Sequence, residues 1–523
     1  MKIALISPSP PDLYAPGLRT ISSYLKKNGH EVRLILLAGG TEKLNFGGQF
    51  IYQFQEHIID QIIELSRDVD LIGLSFMTQY FDRAVQLTRK IKESTSIPVI
   101  WGGIHSTLCP EECIEHADII CIGEGELALL ELMNKMQNGQ DYYDTKSFWF
   151  KRDGEIVRNE VRPLLEDLDE LPFQDYDFED QYVYDLIKDR IVPLTEDMFE
   201  GLFSLAPDLS GRMVSSYKIM TTRGCPMNCS FCASSFLKKK LYTHKYVRHR
   251  SVEHVMAELK EVIKRFPSIK LIQLFDDILF YMNKDFIKEL ARAYKENIGL
   301  PFYCQASATT MDEEKLKYLL DAGLIWVEIG IQSGSERTNK IYKRNVSNEQ
   351  LLNSASILHK YSAKLLPSCY HVILDNPWET SEDILKTLNL ILELPRPYSL
   401  KLASLVFFPK TGIYDKAKAE GLIKNDLEEI YRKPFVYVSG SYLNYLVYLA
   451  GYTYFPRWIL KLLANSVMVK IFYREKFSSI FSRLYNFTET LRKIGRGVQA
   501  LFRGEFKRIF SGIKLRLRTN GKV

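Results

Sequence analysis

Short apolar runs alternate with amphipathic stretches twice along this chain, and that β-α-β-α order is what most limits its possible folds. In residues 1–135 the expected strands are Lys2–Ile6, Glu31–Leu37, Asp70–Phe76, Ile97–Trp101 and Asp118–Ile122. Helical patterns such as Leu18–Asn28 and Tyr80–Ser94 lie between them. Strands separated by helices pair in parallel, so an open, doubly wound parallel sheet is expected. Such sheets take ligands beyond the carboxyl ends of their strands. Those ends carry Ser7-Pro8-Ser9-Pro10-Pro11, Ser75-Phe76-Met77, Gly102-Gly103-Ile104-His105 and Gly123-Glu124-Gly125-Glu126.

A second β/α series occupies residues 216–425, with strands near Tyr217–Thr222, Leu271–Phe275, Pro301–Ala306, Trp326–Ile331, Cys369–Leu374 and Leu400–Phe407. Val252–Phe266, Asp285–Asn297 and Asp312–Ala322 read as helices between them. Six units fall short of eight, which predicts a partial (β/α)6 TIM-type barrel. Residues 136–215 read as a linker with its own short elements, and 426–523 as a helical, aromatic and basic C-terminal region. A chain of 523 residues exceeds one ordinary domain, and 46% apolar with 25% charged residues excludes a disordered or collagen-like chain.

The net charge of +5 is unevenly placed. Residues 474–523 hold thirteen Lys/Arg against three Glu, a net +10, leaving −5 for the rest. A basic tail on a mildly acidic body suits an anionic partner, nucleic acid or a membrane surface. No nucleic-acid motif accompanies it, so nucleic acid is not expected. Met1–Ile6 reads as a strand rather than a signal peptide, and eight scattered cysteines form no disulfide framework. A cytoplasmic protein is the expectation, with metal or redox roles for clustered cysteines.

Thr222-Arg223-Gly224-Cys225-Pro226-Met227-Asn228-Cys229-Ser230-Phe231-Cys232 is such a cluster, directly after an expected strand. Cys225, Cys229 and Cys232, at offsets 0, 4 and 7, can ligate three irons of a 4Fe–4S cluster, which ordinarily takes four cysteines. The next cysteine is Cys304, so one iron would lack a protein ligand. A zinc site completed by His244 or His249 is the competing chemistry.

With aromatic Phe231 before the third cysteine, this motif resembles the radical S-adenosylmethionine (SAM) superfamily. The resemblance implies a cluster-bound SAM, reductive cleavage to a 5′-deoxyadenosyl radical, and hydrogen abstraction from an unactivated carbon. It also implies an external one-electron donor such as flavodoxin or ferredoxin. By the same resemblance Phe231, Asp276, Asp277, Gln305, Ser307, Gln332 and Ser333 are candidate SAM contacts. Asp276 and Asp277 end the second barrel strand, and Glu328–Glu336 resembles the motif backing the adenosyl group, with Lys343-Arg344 after it. Gln305 and Ser307 stand where relatives often carry Arg, Gln332 where they often carry Glu, and Asn376 replaces a usual Gly.

Gly102-Gly103-Ile104-His105-Ser106-Thr107, Pro110-Glu111-Glu112 and Ile122–Glu126 resemble the cobalamin-binding domain that precedes the barrel in one class of this superfamily. Ser75, Gly102, Gly103, His105, Gly123 and Glu124 are its candidate contacts, the glycines because they let backbone approach a bulky ring. No Asp-x-His-x-x-Gly motif follows Asp12, so an axial histidine from that loop is absent. His105 reads rather as a hydrogen-bonded structural residue, and Cys109, Cys113 and Cys121 as buried apolar thiols.

Tyr442–Tyr473 is aromatic and apolar but is interrupted by Pro456, Arg457 and Lys461 before it reaches a membrane span. From Leu484 the apolar positions 484, 487, 491, 494, 498 and 501 form one helical stripe. Two readings stand: a cap buried on the barrel, or an interfacial anchor that places the protein peripherally at the inner face of a membrane.

The expected activity is a radical SAM reaction with cobalamin-dependent methyl transfer to a hydrophobic or lipid-like small molecule. The alternatives are radical oxidoreduction, cyclisation or rearrangement without net methyl transfer, or a non-catalytic cobalamin or cluster-based sensor.

Overall fold

The computed structural model describes residues 1–8, 15–37, 42–46, 49–242, 244–436, 438–452 and 454–502. Ser9, Pro10, Pro11 and Asp12, and the tail beyond residue 502, lie outside them.

Strands Lys2–Ser7, Glu31–Leu36, Leu71–Ser75, Val99–Gly102 and Ile119–Cys121 form the parallel centre of a nine-stranded sheet. Their side chains alternate between two cores, with Ala4 and Ile6 on one face and Ile3 and Leu5 on the other. Helices therefore cover both faces, as double winding requires. The segment 136–215 is not a mere linker. Phe148–Arg152 and Glu155–Arg158 form a hairpin on one edge, turning through Asp153 (φ 51°) and Gly154 (φ 83°). Gln181–Asp185 joins the other edge in parallel, and Arg190–Pro193 pairs with it antiparallel. Short strands at sheet margins carry little apolar periodicity, which hides them in the sequence.

The second sheet has seven strands: an antiparallel Ser204–Pro207, then six parallel strands, Met213–Ile219, Leu271–Leu274, Phe302–Ala306, Leu324–Gln332, Cys369–Leu374 and Ser399–Ser404. This is the partial six-unit barrel. Its first parallel strand ends at Ile219 rather than Thr222, because Thr221 and Thr222 leave the ladder to bond Asp276. The helices begin at side-chain caps, Ser251, Asn283 and Asp312 bonding the first turns of Val252–Arg265, Lys284–Asn297 and Glu313–Asp321.

Helix Tyr442–Ala450 is buried against helix Ser381–Glu393 of the barrel. Arg457–Leu463, Ser466–Phe472 and Ser478–Phe502 follow it. Among the described residues no helix is long and apolar enough to cross a membrane.

Candidate functional site

The carboxyl ends of the two sheets face one another across a cavity of about 350 Å³. Ser75, Gly102, Gly103, Gly123 and Glu124 line one wall, and Met220, Arg223, Gly224, Phe275 and Asp277 the other. Phe275 presents its ring to this wall, 45% exposed. Ion pairs clamp the walls together. Arg223 Nη2 lies 2.7 Å from Glu126, and Arg248 grips Glu124 at 2.5 and 3.1 Å. Burial opposes charge on Arg223, yet Glu126 and Glu124 hold its guanidinium firmly protonated.

The three cysteines of the 225–232 loop sit beside this cavity, each half-buried and unbridged. Burial raises all three thiols, Cys225 to about 12, so the apo loop holds them protonated until a metal displaces the protons. A zinc ion would gather sulfurs about 3.8 Å apart. The ligand groups close enough for a single ion, among the described residues, do not include this trio. The loop is pinned by its backbone: Ser230 N donates to Tyr342 O at 2.8 Å, and Ile413 N donates to Ser230 O at 2.9 Å. Phe231 stands edge-on to Tyr342, with ring centroids 5.2 Å apart, which fixes the approach to Cys232.

Other expected SAM contacts separate into two groups. Asp277 opens into the cavity, near Cys225 and Cys232, and the protein around it raises its pKa. Asp276 does not: it is 1% exposed and accepts from Thr221 N, Thr221 Oγ1, Thr222 N and Thr222 Oγ1 at 2.6–3.0 Å. Its oxygens are spent on shaping the strand exit that leads into the cysteine loop. Ser333 is likewise fully buried, its hydroxyl bonding Glu379 and Thr387. Burial lifts Glu379 to about 7, despite hydrogen bonds from Thr338 and Ser333. Gln305 is half-buried on the third parallel barrel strand, and Ser307 turns to Thr309 Oγ1 at 2.9 Å. Gln332 adopts φ 66° where the ladder slips between Gly330 and Gln332. A bulge with a left-handed non-glycine residue re-aims that side chain, a device concentrated at functional sites.

On the other wall Gly103, at φ 89°, has no room for a Cβ, which would stand 2.8 Å from Phe76 O. Glu124 reaches the cavity with both oxygens engaged by Arg248, which makes it a domain clamp. His105 does not line the cavity. It is fully buried behind the glycines, its Nδ1 3.2 Å from Thr78 Oγ1, among Phe76, Phe81 and Tyr431. Burial pushes its imidazole down to about 3, leaving it neutral. Cys109 separates helix Ile104–Leu108 from helix Pro110–His116, because Pro110 lacks the N–H that would continue the first helix.

Sequence reasoning missed a polar group inside the barrel. Along strand Cys369–Leu374, Tyr370, Val372 and Leu374 join the helix-packed core. Ile373 points the other way, into the group of Tyr342, Leu405 and Ile413 on which Phe231 of the cysteine loop also packs. His371, two residues before Ile373, shares that concave face. His371 Nε2 lies 3.1 Å from Glu328 Oε2, and Lys401 Nζ lies 3.9 Å from the same oxygen. Burial works against the Glu328 charge, but His371 and Lys401 keep it below the usual carboxylate range. Arg344, buried near Cys229, donates to Gly330 O at 2.9 Å on that face. Strand register was the available signal: Gly330 faces His371, and His371 faces Lys401.

Comparison with known proteins agrees with this geometry. Residues 219–391 match the Radical SAM superfamily and residues 3–133 the B12 binding domain. The chain is 26% identical over 411 residues to an uncharacterized methyltransferase of Pyrococcus horikoshii, covering 78% of this chain and 79% of that one. It is 25% identical over 407 residues to the cytidylyl-2-hydroxyethylphosphonate methyltransferase of Streptomyces wedmorensis, covering 70% of each. The fold resembles the radical SAM methyltransferase TsrM of Kitasatospora setae, solved with cobalamin and a [4Fe-4S] cluster. That likeness has TM-score 0.61 and 16% identity, over 80% of this chain and 78% of that one. The chain belongs to the radical SAM superfamily, in the class that carries a B12-binding domain before the barrel.

Proposed function

We propose that this protein is a cobalamin-dependent radical SAM methyltransferase whose reaction takes place between the cysteine loop and the glycine-lined wall. The carrying observation is their juxtaposition: three unbridged thiols on one loop beside a cavity whose far wall has no side chains at Gly102, Gly103 and Gly123. Such a donor set fits a 4Fe–4S cluster with one open iron, and such a wall fits a broad planar ring. When bound, the cluster supplies the electron that cleaves SAM and cobalamin supplies the methyl carrier.

The chain's residues do the rest. Cys225, Cys229 and Cys232 would hold the cluster, and Phe231, edge-on to Tyr342, fixes the loop that carries them. Asp277, open to the cavity beside Cys225, takes the SAM ammonium group, while Gln305 and Gln332 bond its polar edges. Glu328, His371 and Lys401 orient the substrate from inside the barrel. The Arg223–Glu126 and Arg248–Glu124 pairs keep the walls at a fixed separation, the positioning on which such a transfer depends. The electron comes from an external carrier, a flavodoxin or ferredoxin.

Anaerobic reconstitution with hydroxocobalamin and methyl-labelled SAM tests this reading. About four irons per chain, 5′-deoxyadenosine release and label carried into a product are expected. A reconstituted, SAM-cleaving protein that transfers no label to any product would favour oxidoreduction or rearrangement instead.

The C-terminal helices favour a lipid-like substrate met at a membrane. Trp458, Leu462 and Val467 are 60–68% exposed. Ile480, Leu484, Phe487, Leu491, Ile494 and Val498 form an outward stripe on Ser478–Phe502. The opposite side of that helix is already docked, with Phe481 buried and Tyr448 Oη donating to Glu489 at 2.6 Å. Exposed Lys461, Lys470, Arg474, Lys476 and Arg483 accompany these apolar residues, matching an anionic bilayer. Co-flotation with phosphatidylglycerol-containing liposomes is expected, weakening in high salt and in an F487E/L491E variant. Equal recovery of that variant with the liposomes would remove the membrane from the reading.

A further inference from the structure

We propose that His105, Cys109 and Glu112 form a binding site for a divalent transition metal with zinc's ligand preferences, outside the cavity and independent of the cluster loop. One ligand atom from each of these residues, an imidazole nitrogen, the Sγ and a carboxylate oxygen, lies within 4.8 Å of the other two. His105 Nε2 stands 3.9 Å from Glu112 Oε2, too far for a hydrogen bond. A tetrahedral zinc ion with bonds of about 2.0–2.3 Å separates its donors by about 3.3–3.8 Å, so a closure of about 1 Å or less completes the site.

The second observation is the imidazole itself. His105 is fully buried, yet Nε2 has no hydrogen-bond partner, a costly state for a polar atom in a core. Its other nitrogen is engaged by Thr78 Oγ1 at 3.2 Å. A histidine anchored through Nδ1 turns the Nε2 lone pair into the cluster, the arrangement metal-binding histidines ordinarily show. Tyr431 extends the pattern: its hydroxyl lies 2.5 Å from Glu112 Oε2 and 3.9 Å from Cys109 Sγ, holding the carboxylate and the thiol in one place. One thiolate and one carboxylate neutralise a divalent ion, which suits a half-buried location.

The geometry also gives the site a task. Cys109 lies at the junction between helices Ile104–Leu108 and Pro110–His116, its backbone bonded to His105 O on one side and Cys113 N on the other. Tyr431 comes from the segment after the barrel, and neighbouring Arg432 grips Asp82 through two bonds of 2.8 and 2.9 Å. A metal here fastens the segment after the barrel to the helices behind the cobalamin-facing glycines. Cys113 and Cys121 remain buried apolar thiols, whereas Cys109 departs from that expectation.

The test uses the full chain with its cluster reconstituted, so that the other cysteine trio is occupied. The protein is loaded with zinc, passed over chelating resin, and measured for zinc beside iron. About one zinc per chain is expected, with X-ray absorption showing one sulfur at about 2.3 Å and nitrogen or oxygen at about 2.0 Å. Cys109→Ser and His105→Gln should each weaken zinc retention about tenfold or more while leaving iron content unchanged. Wild-type protein with full iron and no retained zinc overturns the site, as does zinc surrounded by two or more sulfurs. So does equal retention in both variants. If the variants fail to fold, the wild-type absorption spectrum alone decides, and none of these outcomes bears on the methyl-transfer reading.

Discussion

A Gly224→Ala chain is expected to lose cluster assembly nearly as completely as a Cys229→Ala chain, although it keeps every thiol. Gly224 has φ 91°, and a Cβ there would lie 2.2 Å from Tyr246 O, a backbone atom. The left-handed conformation costs an L-residue about 1–2 kcal/mol by itself. The clash costs more, because Tyr246 cannot retreat freely. Two residues later Arg248 pairs with Arg223 in a short ladder and is held by Glu124. The alanine must therefore displace the 222–225 strand exit, and with it Cys225. A displacement of about 1 Å at a reacting centre can cost about a hundredfold in rate. Anaerobic reconstitution checks this: G224A should bind a small fraction of the wild-type iron and cleave SAM at least about a hundredfold more slowly. Its far-UV circular dichroism should stay native. A G224A protein with full iron and normal SAM turnover would show that the loop tolerates the shift, and that the glycine has no part in placing the thiols.

Both sheets were legible in the sequence for a common reason. Buried parallel strands are continuous apolar runs, and amphipathic helices between them repeat on a different period, so Ile3–Ile6 or Leu324–Val327 can hardly read as anything else. The cysteine loop was legible because metal ligation fixes residue type and spacing together. What escaped depends on direction. Asp276 and Asp277 are adjacent and chemically identical, yet one turns inward to two threonines and the other outward to the cavity. Nothing in a linear pattern states which way a strand end turns. The barrel group Glu328–His371–Lys401 spans three strands, so only the register assembles it. His105 kept two readings, cobalamin contact and structural residue, because a histidine following two glycines looks the same whether it faces the ligand or the core; its burial decides for the core. The C-terminal stripe was legible as a stripe, but only packing shows that Phe481 turns toward the barrel side while Phe487 stays outside.

The adjacent aspartates give the second prediction. Asp276→Ala should unfold the approach to the cysteine loop, whereas Asp276→Asn should be nearly silent for SAM binding. In the alanine variant two backbone N–H groups, at Thr221 and Thr222, lose their acceptor in a fully buried setting. Each orphaned donor costs about 1–3 kcal/mol, so a loss of about 2–6 kcal/mol is expected, a large part of a domain's stability. Asparagine restores the geometry. Its carbonyl oxygen accepts from both N–H groups, and its amide can donate to Thr221 Oγ1, whose hydroxyl rotates to accept. The substitution also removes a titration. Burial raises Asp276 to about 6, against the hydrogen bonds from Thr222 and Thr221 that favour its ionised form. A carboxyl whose folded pKa exceeds its unfolded value stabilises the fold fully at low pH, and that contribution is lost as pH rises through the folded value. From pH about 4 to about 6 the wild type should therefore lose stability from this group, on the order of 3 kcal/mol, while D276N does not. Thermal melts of both proteins across that range would show the difference moving in favour of D276N as pH rises. A difference that is flat, or that moves the other way, would mean that the Asp276 carboxylate is ionised at no cost in the fold. A D276N protein that melts normally but binds SAM tenfold more weakly would place Asp276, rather than Asp277, against the cofactor.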